Sequence, residues 1–93
     1  MDFCKIVNDE EFGQILAVRR NDDDNDAPSI QVTISPKHEG IEFLSTEFTY
    51  DDTDEGRAKR DEIWQKEYMS GDDTMINVAW TLNKQLEEMF EGI

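Results

Sequence analysis

The apolar residues of this chain change period near Tyr50, and that change constrains the fold more than any other feature. Before it they alternate; after it they recur every three or four residues. Ile30, Val32 and Ile34 alternate with Gln31, Thr33 and Ser35, which is the mark of a strand with one buried face. Gly13 to Arg20 reads as a strand with apolar residues on both sides, Leu16 and Val18 on one and Ile15 and Ala17 on the other. That pattern predicts a central strand covered on both faces. Phe3 to Asn8 predicts a short first strand. Ile41 to Tyr50 predicts the last one, but its pattern slips. Ile41 and Phe43 share one face, whereas Leu44, Thr46, Phe48 and Tyr50 share the other. A β-bulge near Phe43 to Ser45 would reconcile the two halves.

Beyond Tyr50 the period is helical. Asp52 is placed to cap a first helix, with Glu55 three residues on in the manner of a capping box. Ala58, Ile63, Trp64 and Tyr68 are its apolar residues, and Gly71 is a natural stop. Asp72 or Asp73 starts a second helix that runs to Glu91. Met75, Ala79, Leu82, Leu86 and Met89 form its stripe, flanked by Val78 and Phe90, with Ile76 and Trp80 to one side. So wide a stripe predicts that one half covers the sheet and the other meets a second subunit in a homodimer. The expected architecture is α+β in one domain, residues 1–93. A three- to four-stranded antiparallel meander (1–50) is followed by two C-terminal helices (52–92) packed on one face.

The chain has 93 residues. A domain of that size buries somewhat under ~70% of its unfolded surface, which leaves little room for both a core and a deep pocket. Two Trp, five Phe and two Tyr are more aromatics than a disordered chain carries. A lone cysteine, Cys4, excludes an internal disulfide and a cysteine-cluster metal site. Its neighbours Phe3 and Ile6 predict a buried thiol. No basic segment followed by an apolar run marks a signal peptide. No apolar stretch approaches ~20 residues. A cytosolic protein without membrane contact is the expectation.

Charge narrows function further. There are 23 Asp and Glu against 9 Lys and Arg, a net −14. Such a surface repels nucleic acid and anionic membranes, so direct nucleic-acid binding is excluded. Two roles remain for the acidity: solubility, or attraction of a basic surface on a partner.

Catalytic chemistry is not foreseen. The single His38 lies in the turn Pro36 to Gly40, away from any nucleophile motif. The five glycines are isolated, so no phosphate-cradling loop is present and no cofactor is expected. Asp22, Asp24 and Asp26 match the first three ligand positions of an EF-hand loop. However, Ala27 stands where glycine is needed and Thr33 where the bidentate glutamate belongs. The run therefore reads as a solvated, self-repelling turn without a metal. Asp51, Asp52, Asp54 and Glu55 form a second cluster, half of it explained by a helix N-terminus. Arg57, Lys59 and Arg60 sit at the wrong end of that helix for its dipole. Either they pair with Asp61, Glu62 or the Asp51 to Glu55 cluster, or they form an anion pocket. In the pocket Arg57 and Arg60 would hold phosphates while Trp64, Phe48 or Tyr50 stacks on a base. Arg19 and Arg20 most simply neutralise the acidic loop that follows them.

The chain length, the 23 acidic residues, the clusters Asp22 to Asp26 and Asp51 to Glu55, and the α+β order together resemble small acidic bacteriophage counter-defence proteins, the DNA mimics and anti-CRISPR proteins. The resemblance implies a non-catalytic inhibitor in the host cytosol. It would occupy the basic cleft of a nuclease or other immune effector. Its contacts would be Asp22, Asp23, Asp24, Asp26, Asp51, Asp52, Asp54 and Glu55. Side chains two apart on a strand are about 6.7 Å apart, similar to successive phosphates. Other counter-defence proteins of this size are sponges for nucleotide immune signals, which would assign the ligand role to Arg57, Arg60, Trp64, Phe48 and Tyr50. A third expectation is a dimeric accessory protein that is acidic only for solubility.

Overall fold

A computed structural model describes residues 3–21, 26–35 and 40–91. The alternating half forms β1 (Cys4–Asp9), β2 (Gly13–Arg20), β3 (Ser29–Ile34) and β4 (Leu44–Thr49). The helical half forms α1 (Asp54–Ile63), a π-helical turn (Trp64–Tyr68) and α2 (Asp73–Glu91). The strands pair antiparallel in the order β1-β2-β3-β4. The protein is α+β, with the helices packed against one face of a four-stranded meander.

Local chemistry explains the first hairpin. The Asp9 carboxylate accepts from the backbone N–H groups of Glu11 and Phe12 at 2.8 and 3.2 Å. Gly13 follows at φ +73°, where a Cβ would lie 2.7 Å from the Ser35 carbonyl oxygen. A left-handed glycine closing a three-residue loop is a favoured hairpin geometry. The register that results puts Ile15 opposite Ile34 and Ala17 opposite Val32. These residues, with Ile30, are fully buried under Trp64, Tyr68, Met75, Ala79 and Leu82.

Several expectations change. Only one face of β2 is covered by helices. Leu16 and Val18 are half-buried on the other face, sheltered by their cross-strand neighbours Ile6 and Cys4. The same register exposes Cys4. Its side chain points away from the helices on an edge strand, so the thiol is not buried. β4 begins at Leu44, and its pairing with β3 is continuous to Thr49. The slip in the apolar pattern is therefore the strand's start, not a bulge, and Phe43 is exposed before it. The α1 cap is Thr53, whose hydroxyl accepts from Gly56 N–H at 3.0 Å. Asp52 and Glu55 form no capping box, because the helix starts one residue later than foreseen.

The first helix also does not stay α-helical to its end. Met69 N–H donates to the Trp64 carbonyl at 2.9 Å, an i to i+5 bond. This wider turn leaves the Trp64 and Tyr68 rings stacked, with centroids 5.4 Å apart and planes 17° apart. Lys5 secures the turn from the sheet. It points inward from β1 and donates to the Tyr68 and Gly71 carbonyls at 2.6 and 2.7 Å, and it pairs with Asp72 at 3.0 Å. A cation thus satisfies carbonyls at a helix end that would otherwise lack partners. No helix among the described residues is long and apolar enough to cross a membrane.

Candidate functional site

The chain leaves β4 at Thr49 and turns sharply into α1. Asp51 and Gly56 face each other across this turn. A Cβ on residue 56 would come within 1.9 Å of the Asp51 carbonyl oxygen, so only glycine allows the approach. The turn gathers Asp51, Asp52, Asp54 and Glu55, all exposed, around the helix N-terminus. Asp51 and Glu55 line a recess of about 250 Å³ together with Thr49, Tyr50, Gly56 and Lys59.

Asp26 approaches the same place. Arg57 pairs with Asp52, and its Nη2 also donates to the Asp26 carbonyl at 3.5 Å. Asp26 itself is exposed. Asp26, some two dozen residues away in the sequence, is therefore brought to the N-terminal end of α1. Asp22, Asp23 and Asp24 lie outside the described residues, as does His38.

Four cations, Lys5, Arg19, Arg57 and Arg60, are drawn inward. Six of the nine Lys and Arg side chains are ion-paired among the described residues: Lys5, Arg19, Arg20, Arg57, Arg60 and Lys66. Arg19 reaches Asp61 at 2.7 Å, and Arg20 reaches Glu47 at 3.3 Å. These two residues thus bridge elements within the fold; most of the acidic loop they were expected to neutralise lies outside the described residues. Asp51, Asp54 and Glu55 make no ion pair among the described residues.

The same inward use removes the anion pocket as foreseen. The Arg60 side chain is 2% exposed. Its Nη1 donates to the Arg20 carbonyl at 2.5 Å and its Nε to Asp61 at 2.8 Å. Trp64 is 0% exposed, its ring against Tyr68. A base cannot stack on a ring that no solvent reaches, and a phosphate cannot reach a guanidinium already enclosed by protein oxygens. The ion pairs Arg57–Asp52 and Arg60–Asp61 are the alternative that the sequence left open. Phe48 is 40% exposed on the helix-facing side of β4, where it lines a different cleft.

Tyr50 is half-buried beside the recess. Burial pushes its hydroxyl pKa up, as does the nearby Glu67 carboxylate, while Arg60 pulls it down. Burial, with Tyr50 and Glu67, pushes Tyr68 up to about 12. Unfolded tyrosine ionises near 10.0. The unfolded chain therefore loses its proton first, and stability falls as pH rises from about 10 to about 12. Alkaline unfolding followed by circular dichroism is expected in that window. Tyr68→Phe, which has no proton to lose, should weaken this pH dependence.

In α2, Met75, Ala79, Leu82 and Leu86 are buried, so most of the stripe covers the sheet. What it leaves exposed is Met89, Phe90 and, to one side, Trp80. Sequence reasoning missed Lys5 altogether; an inward lysine on an edge strand was its only signal. It also missed a cleft of about 470 Å³ between β4 and α2, because no sequence pattern records a gap between elements.

Comparison with protein families, curated proteins and solved structures finds no match for this chain. The fold and site by themselves define an acidic α+β protein with a carboxylate-rich recess where sheet meets helix.

Proposed function

We propose that this protein is a non-catalytic anti-defence inhibitor, whose clustered carboxylates engage the basic, nucleic-acid-binding surface of a host immune protein. The observation that carries this reading is the asymmetry of charge use. Lys5, Arg19, Arg57 and Arg60 are consumed by pairs within the fold, while Asp26, Asp51, Asp54 and Glu55 remain exposed at one end. A patch in which exposed carboxylates outnumber cations steers an oppositely charged partner, and such steering raises association rates about 10- to 10³-fold. The enclosed positions of Arg60 and Trp64 weigh against a nucleotide sponge built on them.

The test is competition with duplex DNA for a DNA-cleaving nuclease whose cleft is basic. Inhibition should weaken steeply with added salt. The variant Asp51→Asn/Asp52→Asn/Asp54→Asn/Glu55→Gln should lose about tenfold or more in association rate. Its melting temperature identifies any loss of fold, since these carboxylates also favour the helix terminus by about 0.3–1 kcal/mol each. Replacing Asp22, Asp23, Asp24 and Asp26 by Asn measures the neighbouring cluster. Inhibition that ignores both salt and these substitutions would reduce the acidity to a solubilising role.

A further inference from the structure

We infer that the free edge of β4 is a docking site for an extended, basic segment of a partner protein, which adds as a fifth strand with alternate side chains in the cleft beside α2. The inference rests on the basic-partner reading for the charge of the occupant, but not for the site itself.

The edge is open by register. Tyr50 N–H donates to the Pro28 carbonyl at 2.9 Å, and these two residues continue the β3–β4 register. Hydrogen-bonded pairs alternate along an antiparallel ladder. Leu44, Thr46 and Phe48 therefore turn their backbone groups toward β3. Ser45, Glu47 and Thr49 turn theirs outward, where β4 has no neighbouring strand among the described residues.

The two edges of the sheet differ. Edge strands are commonly guarded by inward-pointing charges, lysine, proline or bulges. β1 has Lys5 pointing inward. β4, with the sequence LSTEFT, has no lysine, proline, bulge or inward-pointing charge, and its one guard is the charge of Glu47. Beside it lies the 470 Å³ cleft, whose floor includes Phe48, Val78 and Leu82 and whose rim includes Asn77, Gln85 and Glu67. Strand addition joins backbone hydrogen bonds along an edge to pockets for alternate side chains. Both are present here.

The chemistry of the cleft selects the occupant. Glu67 is the one charged residue lining it among the described residues, and the chain carries a net −14. An aliphatic stem on the apolar floor with an ammonium or guanidinium at Glu67 fits both surfaces. A second copy of the chain fits poorly. Pairing two β4 edges would set two Glu47-bearing strands and two strongly acidic bodies side by side.

The test uses the whole protein and a short peptide of alternating lysine and valine, with glutamate-for-lysine as its counterpart. Ser45→Pro deletes an outward N–H without touching the β3 ladder. Glu67→Gln removes the charge. The lysine peptide should bind saturably and shift the amide resonances of Ser45, Glu47 and Thr49. Ser45→Pro should weaken it about tenfold, the equivalent of one backbone hydrogen bond. Glu67→Gln should weaken it and reduce its salt dependence. Lysine-peptide binding that survives Ser45→Pro but is lost with the α1 carboxylate variant would overturn the docking site and leave the acidic reading standing. Equal binding of both peptides, blocked by Ser45→Pro, would support the site and overturn the basic occupant. Self-association abolished by Ser45→Pro, without peptide binding, would overturn the partner in favour of a second copy.

Discussion

Trp64→Ala is expected to lower the unfolding free energy by about 3–5 kcal/mol, the usual cost of truncating a fully buried tryptophan. A chain of 93 residues has a total stability of roughly 5–14 kcal/mol, so the variant retains at best a fraction of it. The reason is location. The indole is enclosed between the sheet and α2, and it stacks on Tyr68 across the π turn. Removing it opens a cavity in the core cluster that the surrounding elements cannot fully close. Urea unfolding measures the loss, and the melting temperature should fall by more than about 10 °C. The fluorescence that remains should be that of the exposed Trp80. A loss below about 1 kcal/mol would contradict the core position of Trp64 and reopen its use as a stacking surface.

Arg60→Ala carries the second-largest effect, about 2–3 kcal/mol. Hydrogen bonds to a charged group contribute about 1.5–3 kcal/mol, and Arg60 makes them to both the Arg20 carbonyl and Asp61. The loss is held below that of a fully isolated buried pair because Asp61 is partly exposed and keeps Arg19. Since Arg60 and Arg19 share one Asp61 oxygen, the double variant Arg60→Ala/Asp61→Asn should be non-additive. A double-mutant cycle reads that coupling. An Arg60→Ala protein of unchanged stability that had lost protection by a nucleotide would instead assign Arg60 to a ligand.

These two residues also show what limits functional reading from a sequence. Arg60 and Trp64 share a helix face in any helical reading, and an aromatic beside a guanidinium suggests a ligand as readily as a core. What separates the cases is which way that face turns. Here β2 lies against it, and the Arg20 carbonyl at the end of that strand supplies the acceptor. The charge surplus has the same ambiguity in one dimension. Asp26 joins the carboxylates at the α1 N-terminus only in the folded chain, where Arg57 pairs with Asp52 and reaches the Asp26 backbone.

The strands and helices are local properties. The alternation of Ile30, Val32 and Ile34 and the stripe from Met75 to Leu86 each satisfy one period, and a segment needs no distant partner to express it. From these alone follow the α+β class, the meander order and the boundaries of β2 and α2. Only the folded chain decided which groups of the same chemical type face inward. The register of β1 exposed Cys4 and turned Lys5 under the helices. The contact between Asp51 and Gly56 fixed the turn that gathers the carboxylates. The gap beside β4 arose from how far α2 extends over the sheet. Each is set by the meeting of elements remote in sequence, where packing and pairing energies outweigh local preference.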